Sequence, residues 1–329
     1  MAAPPELRKS LATILAERPL PIIRQAAARV LTLLSNPDIS IEEIANTVLH
    51  DQAFTARVLR VANSAYYRRQ KEKVTTVTQA IAMTGLNNLR DIAIAAEFSE
   101  LVQKRLPTTV NLHRLLAKAF VAGHQANALG QAIRRSEAEA LFTSALLESL
   151  GEFVMAAYLP QIFMKVMDAM QITGLSYEEA HLTTTGMTPH EVTEIIFKGL
   201  NLPEGLLLPP PVWDNPGAAP DRRKAIVHLT NACATNLFGP ESPQIVTQFK
   251  TIMHRLAQAT DFPPDTIDAL LSQAFLKAVE FGTQVDLEYE SFALDGTTSP
   301  LSMRHGFIGL CLELAEGNAD IEPVERPLL

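Results

Sequence analysis

DQAFTARVLRVANSAYY, residues 51–67, sets Phe54, Val58, Val61, Ala62 and Ala65 at spacings of three and four. That spacing gathers them on one face of a helix and leaves Arg57, Arg60 and Asn63 on the others. Asp51 stands where an N-cap carboxylate accepts bonds from the first amides and meets the positive end of the helix dipole. The segment closes on the polar pair Asn63 and Ser64, a natural helix end.

Helical punctuation continues on both sides of this segment. Upstream, Ser40 with Glu43 forms a capping box, and Ile41, Ile44, Ala45 and Val48 form the apolar stripe of the helix it opens. Asn36-Pro37 separates that helix from a helical pattern over Ile22–Leu34, and a shorter segment, Ser10–Glu17, precedes it. Downstream, Arg68–Lys73 (RRQKEK) reads as a loop. Thr76 with Gln79 opens a helix that Gly85 is expected to end in the left-handed conformation, and Asn87 is expected to cap the next one.

Further along, Leu112–Ile133 is long enough for a central helix of about six turns. Ser136 with Glu139 predicts a capping box before Ala140–Leu150, and Gly151 predicts a turn or hinge before Phe153–Leu159. Ser176 with Glu179 repeats the box. Thr188-Pro189-His190-Glu191 supplies a cap, a first-turn proline and an acid for a helix running to about Leu200. The proline-rich run Leu206–Pro220 is a connection. Helices are predicted again over Arg222–Leu237, Ile245–Ala259 and Thr266–Phe281, the last capped by Asp265. A weak strand pattern covers Gln284–Tyr289, and Asp320–Leu329 reads as disordered.

Composition narrows the class. Apolar residues at 47% against 19% charged, with only 15 glycines in 329 residues, favour a globular helical protein over a disordered one. Cys233 and Cys311 are far apart and form no CxxC pair, so neither a disulfide framework nor a thiolate zinc site is expected. The N-terminus lacks an apolar leader core, and no run approaches the roughly 20 uninterrupted apolar residues of a membrane span. A cytoplasmic protein without membrane contact is expected. A net charge of −8 argues against broad phosphate binding, although Arg57, Arg60, Arg68, Arg69, Lys71 and Lys73 form a basic neighbourhood.

Residues 51–67, followed by VTQAIAMTGLNNLRDIAI over Val77–Ile94, resemble the signature of the HDOD family, the HD-related output domains of bacterial signalling proteins. The matching elements are Asp51, Phe54-Thr55, Arg57–Leu59, Asn63-Ser64, Ala80-Ile81 and Gly85, with Gln52 and Met83-Thr84 as departures. The resemblance spans about Leu20–Leu237. It implies an all-α fold of two packed helical subdomains, a small N-terminal signature bundle (20–107) and an HD-like bundle (108–237). A segment over residues 1–19 precedes them, and a helical extension over 238–329 ends in a flexible tail.

The resemblance also implies a test for chemistry, because HD phosphohydrolases bind metal through dispersed His and Asp. His50-Asp51 is an HD dipeptide, but it falls in the signature stretch, away from the corresponding helix. Glu148-Ser149 stands where the metal-binding pair belongs, Ala117 near the place of an upstream histidine, and Val212-Trp213-Asp214 near that of two downstream ones. Only His190 keeps a match. His113 and His124 read as surface or capping residues, and His190, Glu191 and Glu194 as a capped first turn.

The expectation is therefore a non-catalytic signal-transduction protein that binds a partner protein or a small signalling ligand, with no catalytic residue, metal or cofactor. Asp51, Arg57, Arg60, Asn63, Ser64, Gly85, His190 and Trp213 are the candidate recognition or signature residues. The partners implied are signalling proteins of two-component or cyclic-nucleotide systems. One alternative is a divergent metal-dependent HD phosphohydrolase, acting on a nucleotide or cyclic dinucleotide with a site rebuilt around His190, Glu148 and His124. Another is a DNA-binding regulator, since Ser40–Ala65 holds two short helices in helix-turn-helix style.

Overall fold

A computed structural model describes residues 9–11, 13–14, 30, 33, 39–50, 52–63, 74–86, 89, 92–93, 110–199, 204–213, 220–240, 244–284 and 291. These residues form α-helices and one 3₁₀ turn (Glu204–Leu206), with no strand among them. The expected all-α class is therefore observed.

The first helices are α1 (Ile41–Leu49), α2 (Gln52–Ala62) and α3 (Val77–Thr84), which pack against one another. Ser40 caps α1 by accepting from Glu43 N, and Thr76 caps α3 by accepting from Gln79 N, as their spacing predicts. Phe54, Val58, Val61 and Ala62 bury the predicted face of α2. Each large side chain so buried contributes about 1.5–3 kcal/mol of transfer free energy. Gly85 has φ 88° and ψ 158°. The positive φ agrees with the expectation, but the extended ψ places it in a region that essentially only glycine occupies, rather than in the left-handed helical one.

The second group is centred on α4 (Leu112–Ile133), whose predicted bounds are observed. Around it lie α5 (Ala138–Glu148), α6 (Leu150–Tyr158), α10 (Arg222–Phe238) and α12 (Pro264–Gln284). An outer layer of α7 (Pro160–Thr173), α8 (Tyr177–Thr185) and α9 (Pro189–Gly199) packs on α6, while α11 (Ile245–Thr260) packs on α10 and α12. Phe249, Leu256, Leu271 and Phe275 carry the core into α11 and α12, so these helices complete the bundle. Phe120 of α4 meets Phe281 of α12 edge-on at 5.2 Å. Ala140–Tyr158 is long and apolar enough to cross a membrane, yet 89% of it is buried inside the bundle and it is interrupted at Ser149.

Local expectations fare unequally. Ser176 and Glu179 form the full reciprocal capping box of α8, and Thr188 and Glu191 exchange equivalent bonds at the start of α9. Ser136 does not cap α5: the cap position is Glu137, which makes no side-chain cap bond and instead accepts from Arg134 at 3.0 Å. Asp265 lies inside the first turn of α12, because the helix already begins at Pro264. The break between α5 and α6 is at Ser149, so Gly151 is no hinge. A Cβ on Gly151 would lie 2.4 Å from Thr193 Oγ1 and 2.9 Å from Thr193 N, so its role is to let α6 and α9 approach closely. The readings for Ser10–Glu17, Ile22–Leu34, Asn87 and the tail after 291 fall wholly or largely outside the described residues, as does the strand pattern apart from Gln284, which ends α12.

Asn63 fixes the exit from α2. Its Nδ2 donates to Leu59 O and Val74 O, both at 2.8 Å, and its Oδ1 accepts from Val74 N at 2.9 Å. One side chain thus ties the helix end to the start of the α3 segment across eleven residues of chain. Asn63→Ala removes these bonds and leaves part-buried backbone groups unpaired, so it is expected to destabilise the protein by about 2–3 kcal/mol in urea unfolding. Gly151→Ala forces α6 away from α9 and is expected to lower the urea midpoint by an amount corresponding to about 1–3 kcal/mol.

Candidate functional site

Three residues of α10, His228, Asn231 and Thr235, recur at spacings of three and four and so line one face of that helix. Opposite them stand Lys118 of α4, Glu148 and Ser149 at the end of α5, and Glu152 of α6. The result is a polar seam through an otherwise apolar bundle.

At its inner end, the Lys118 ammonium, 3% exposed, is paired with the Glu152 carboxylate and donates to Thr235 Oγ1 at 3.2 Å. The same ammonium lies 5.5 Å from the centroid of the Tyr177 ring at the start of α8. Burial, reinforced by the Glu152 charge, raises the Tyr177 phenol well above its usual value, so it stays neutral. In the middle of the seam, Ser149 Oγ donates to Asn231 Oδ1 at 3.0 Å. Asn231 Nδ2 donates in turn to Ala145 O at 2.9 Å and Val227 O at 3.0 Å.

At the outer end, His190 Nδ1 lies 3.1 Å from Glu148 Oε1, with both side chains mostly buried. A carboxylate oxygen can only accept here, so Nδ1 carries the proton. Burial pulls the His190 pKa down, but the hydrogen bond to Glu148 and the charges of Glu148, Glu194 and Glu178 outweigh it, and the net shift is upward. Thr193 Oγ1 lies 3.0 Å from Glu148 O and 3.1 Å from Pro189 O, fastening α9 to α5 beside the pair. A second pair, Glu178 Oε2 and His228 Nε2 at 3.6 Å, joins α8 to α10. Its interaction with His228, opposed by burial and assisted by the charges of Arg255 and His190, holds Glu178 below the usual carboxylate range. Arg255 of α11 also stacks over the Trp213 ring at 4.7 Å.

The candidate residues named from the sequence divide accordingly. His190 and Trp213 belong to the outer end of the seam. Asn63 and Gly85 shape turns in the α1–α3 group, and Arg60 is exposed on α2. Arg57 lies in α2 with its side chain outside the described residues, and Asp51 and Ser64 are also outside them. His190 is more than a capping residue, because its partner Glu148 is on another helix. His124 departs from the surface reading: its ring lies against Phe142 at 5.1 Å and Phe281 at 5.5 Å. Burial, with the Lys277 charge, pushes it down to about 3, so it is a neutral, part-buried residue packed against two core rings. Trp213 is half-buried beneath Arg255.

The sequence reading missed Lys118, Glu152, Glu178, His228 and Asn231. A signal existed for the first two, since each is a lone charge in an apolar run, LLAKAFVAG and LGEFVMAAY, and a buried charge needs a partner. The outer pairs left no local trace, because their members are 42 and 50 residues apart.

The metal of the HD enzymes needs several convergent His and Asp ligands. Among the described residues no three His, Cys, Asp or Glu side chains converge on one point. Glu148 Oε1 and His190 are bonded to each other, the hydroxyl of Ser149 and the amide of Asn231 are mutually engaged, and Glu148 Oε2 is buried without a hydrogen-bond partner. One imidazole and one carboxylate, with no third such group converging on them among the described residues, do not fit a metal that needs several convergent ligands.

Comparison with known proteins agrees with this architecture. The HDOD domain model matches residues 20–209. An HDOD domain protein of unknown function from Geobacter sulfurreducens has a crystal structure that superposes with a TM-score of 0.61 at 20% identity, over 85% of this chain and 98% of that one. A Marinobacter aquaeolei VT8 protein, named for a proposed role in signal transduction, superposes with a TM-score of 0.60 at 14% identity, over 85% of this chain and 65% of that one. An uncharacterised protein of Treponema pallidum (strain Nichols) is 21% identical over 220 residues, 66% of this chain but only 42% of that protein. At these identities the solved structures speak for the fold, while the family match covers more than half of the chain. With the signature helix, the surrounding bundle and the matched span in agreement, the chain belongs to the HDOD family.

Proposed function

We propose that this chain is a non-catalytic signal-transduction protein that acts by binding a partner protein or a small signalling ligand. The reading is carried by the Glu148–His190 pair: at the place of the enzymes' metal ligands one carboxylate and one imidazole are bonded to each other, with no third such group converging on them among the described residues. A catalytic metal needs several convergent lone pairs and an open coordination position. Here the neighbouring Ser149, Thr193 and Asn231 are neutral and hydrogen-bonded. The name of the Marinobacter protein supports a signalling context. Recognition through Arg60 on the exposed side of α2, and through Trp213 beside the seam, suits a binding module.

The deciding measurement combines metal analysis with an activity assay. Protein purified after growth in medium supplemented with iron, manganese and zinc is expected to carry far less than one metal per chain, and to leave cyclic dinucleotides and nucleotides intact. Stoichiometric metal together with hydrolysis that Glu148→Gln and His190→Gln abolish would overturn the proposal. A pull-down from native cytosol with wild-type, Arg60→Ala and Trp213→Ala proteins is expected to show partners that at least one substitution removes. An unchanged set would assign both residues to structure.

A further inference from the structure

From the end of the 3₁₀ turn towards α10 the chain reads LLLPPPVW over residues 206–213. Leu208, Pro209 and Pro210 each precede a proline, and the proline rings fix their own φ, so the residue types dictate an extended polyproline form with three residues per turn. Burial follows that period. Pro209 and Val212 are exposed, Val212 by 72%, while Pro211 is buried and Leu208 is packed against the core. Leu207, Pro210 and Trp213 are half-buried on the remaining edge. One ridge of this stretch faces solvent and another faces the bundle.

Its attachment is of one kind. Leu206, Leu207, Leu208 and Trp213 pack against the core, the 3₁₀ turn touches α5, and Arg255 of α11 stacks over the Trp213 ring at 4.7 Å. The three prolines have no N–H to donate, and among the described residues none shares a hydrogen bond with Leu208–Trp213. Towards those residues the stretch is held by apolar packing and a cation–π stack, so lifting it breaks no hydrogen bond to them.

We propose that residues 208–213 are a rigid strap, latched by the Arg255–Trp213 stack, that lifts from the bundle as one piece and presents Trp213 to a partner. The proposal deepens the binding reading and rests on it for the role of Trp213 towards a partner, while the lifting is measured without one. A proline-rich chain is stiff, so displacement at Leu208 is carried along to Trp213. Trp213 offers a large contact area with few rotatable bonds, the character of an interface anchor. The charge of Arg255 also acts on Glu178, which sets the latch beside the outer end of the polar seam.

Trp213 is the single tryptophan of the chain, so fluorine NMR on the full chain labelled with fluorotryptophan reads this position alone, and acrylamide quenching reads its access to solvent. Arg255→Gln is expected to raise the ratio of lifted to docked strap roughly two- to thirtyfold, the range a cation–π contact spans between exposed and desolvated sites. The resonance then moves towards that of free fluorotryptophan, and quenching increases. Leu208→Ser loosens the other end of the strap and is expected to move both readouts in the same direction. Circular dichroism and urea unfolding check that the bundle is intact, and if Leu208→Ser fails to fold, Leu208→Ala decides by the same criterion. Readouts that Arg255→Gln leaves unchanged would overturn the latch. A ring freed by Arg255→Gln but unmoved by the Leu208 variant would overturn the strap, since the ring then moves by itself. No partner is present in these measurements, so either negative result leaves the binding reading standing, and that reading fails instead on the metal, hydrolysis and pull-down outcomes.

Discussion

The Lys118–Glu152 pair is the constraint on which the bundle depends. Helix α4 is enclosed by α5, α6, α10 and α12, and its long buried face includes Leu116, Ala117, Ala119, Phe120, Val121 and Ala122. A lone ammonium in that setting would carry a desolvation penalty of several kcal/mol. Glu152 of α6, Thr235 of α10 and the Tyr177 ring of α8 converge on it, so one cation fixes how four helices meet. Apolar packing alone would admit sliding of α4 along its neighbours. A directional, buried charge pair admits far less.

Much of this was readable in advance where the information is local. Apolar spacing located α2, the length of the uninterrupted run located α4, and hydroxyl–acid spacing located the starts of α8 and α9, because caps and stripes are properties of four to seven consecutive residues. The failures are equally physical. Ser136 has the spacing of a cap, but Arg134 and Glu137 pair in the same turn and the helix starts without it. Gly151 looks like punctuation, yet its small size serves contact with Thr193, forty-two residues on. His124 looked like a surface residue until the fold brought Phe142 and Phe281 against it. For the site, the identity of Glu148-Ser149 was legible, whereas the pairing of His190 with Glu148 and of Glu178 with His228 exists only once the helices are assembled.

The seam grades from inside to outside. Its inner end is a fully buried ion pair, its middle an interlocked hydroxyl and amide, and its outer end two imidazole–carboxylate pairs beside a stacked arginine and tryptophan. At the centre of the seam the polar groups are engaged with one another.

Asn63 carries a consequence of a different kind. It holds Leu59, in the last turn of α2, and Val74, two residues ahead of the Thr76 cap of α3, on one side chain. Fraying at the end of α2 therefore loosens the start of α3 as well, and the two helix ends open as one unit rather than separately.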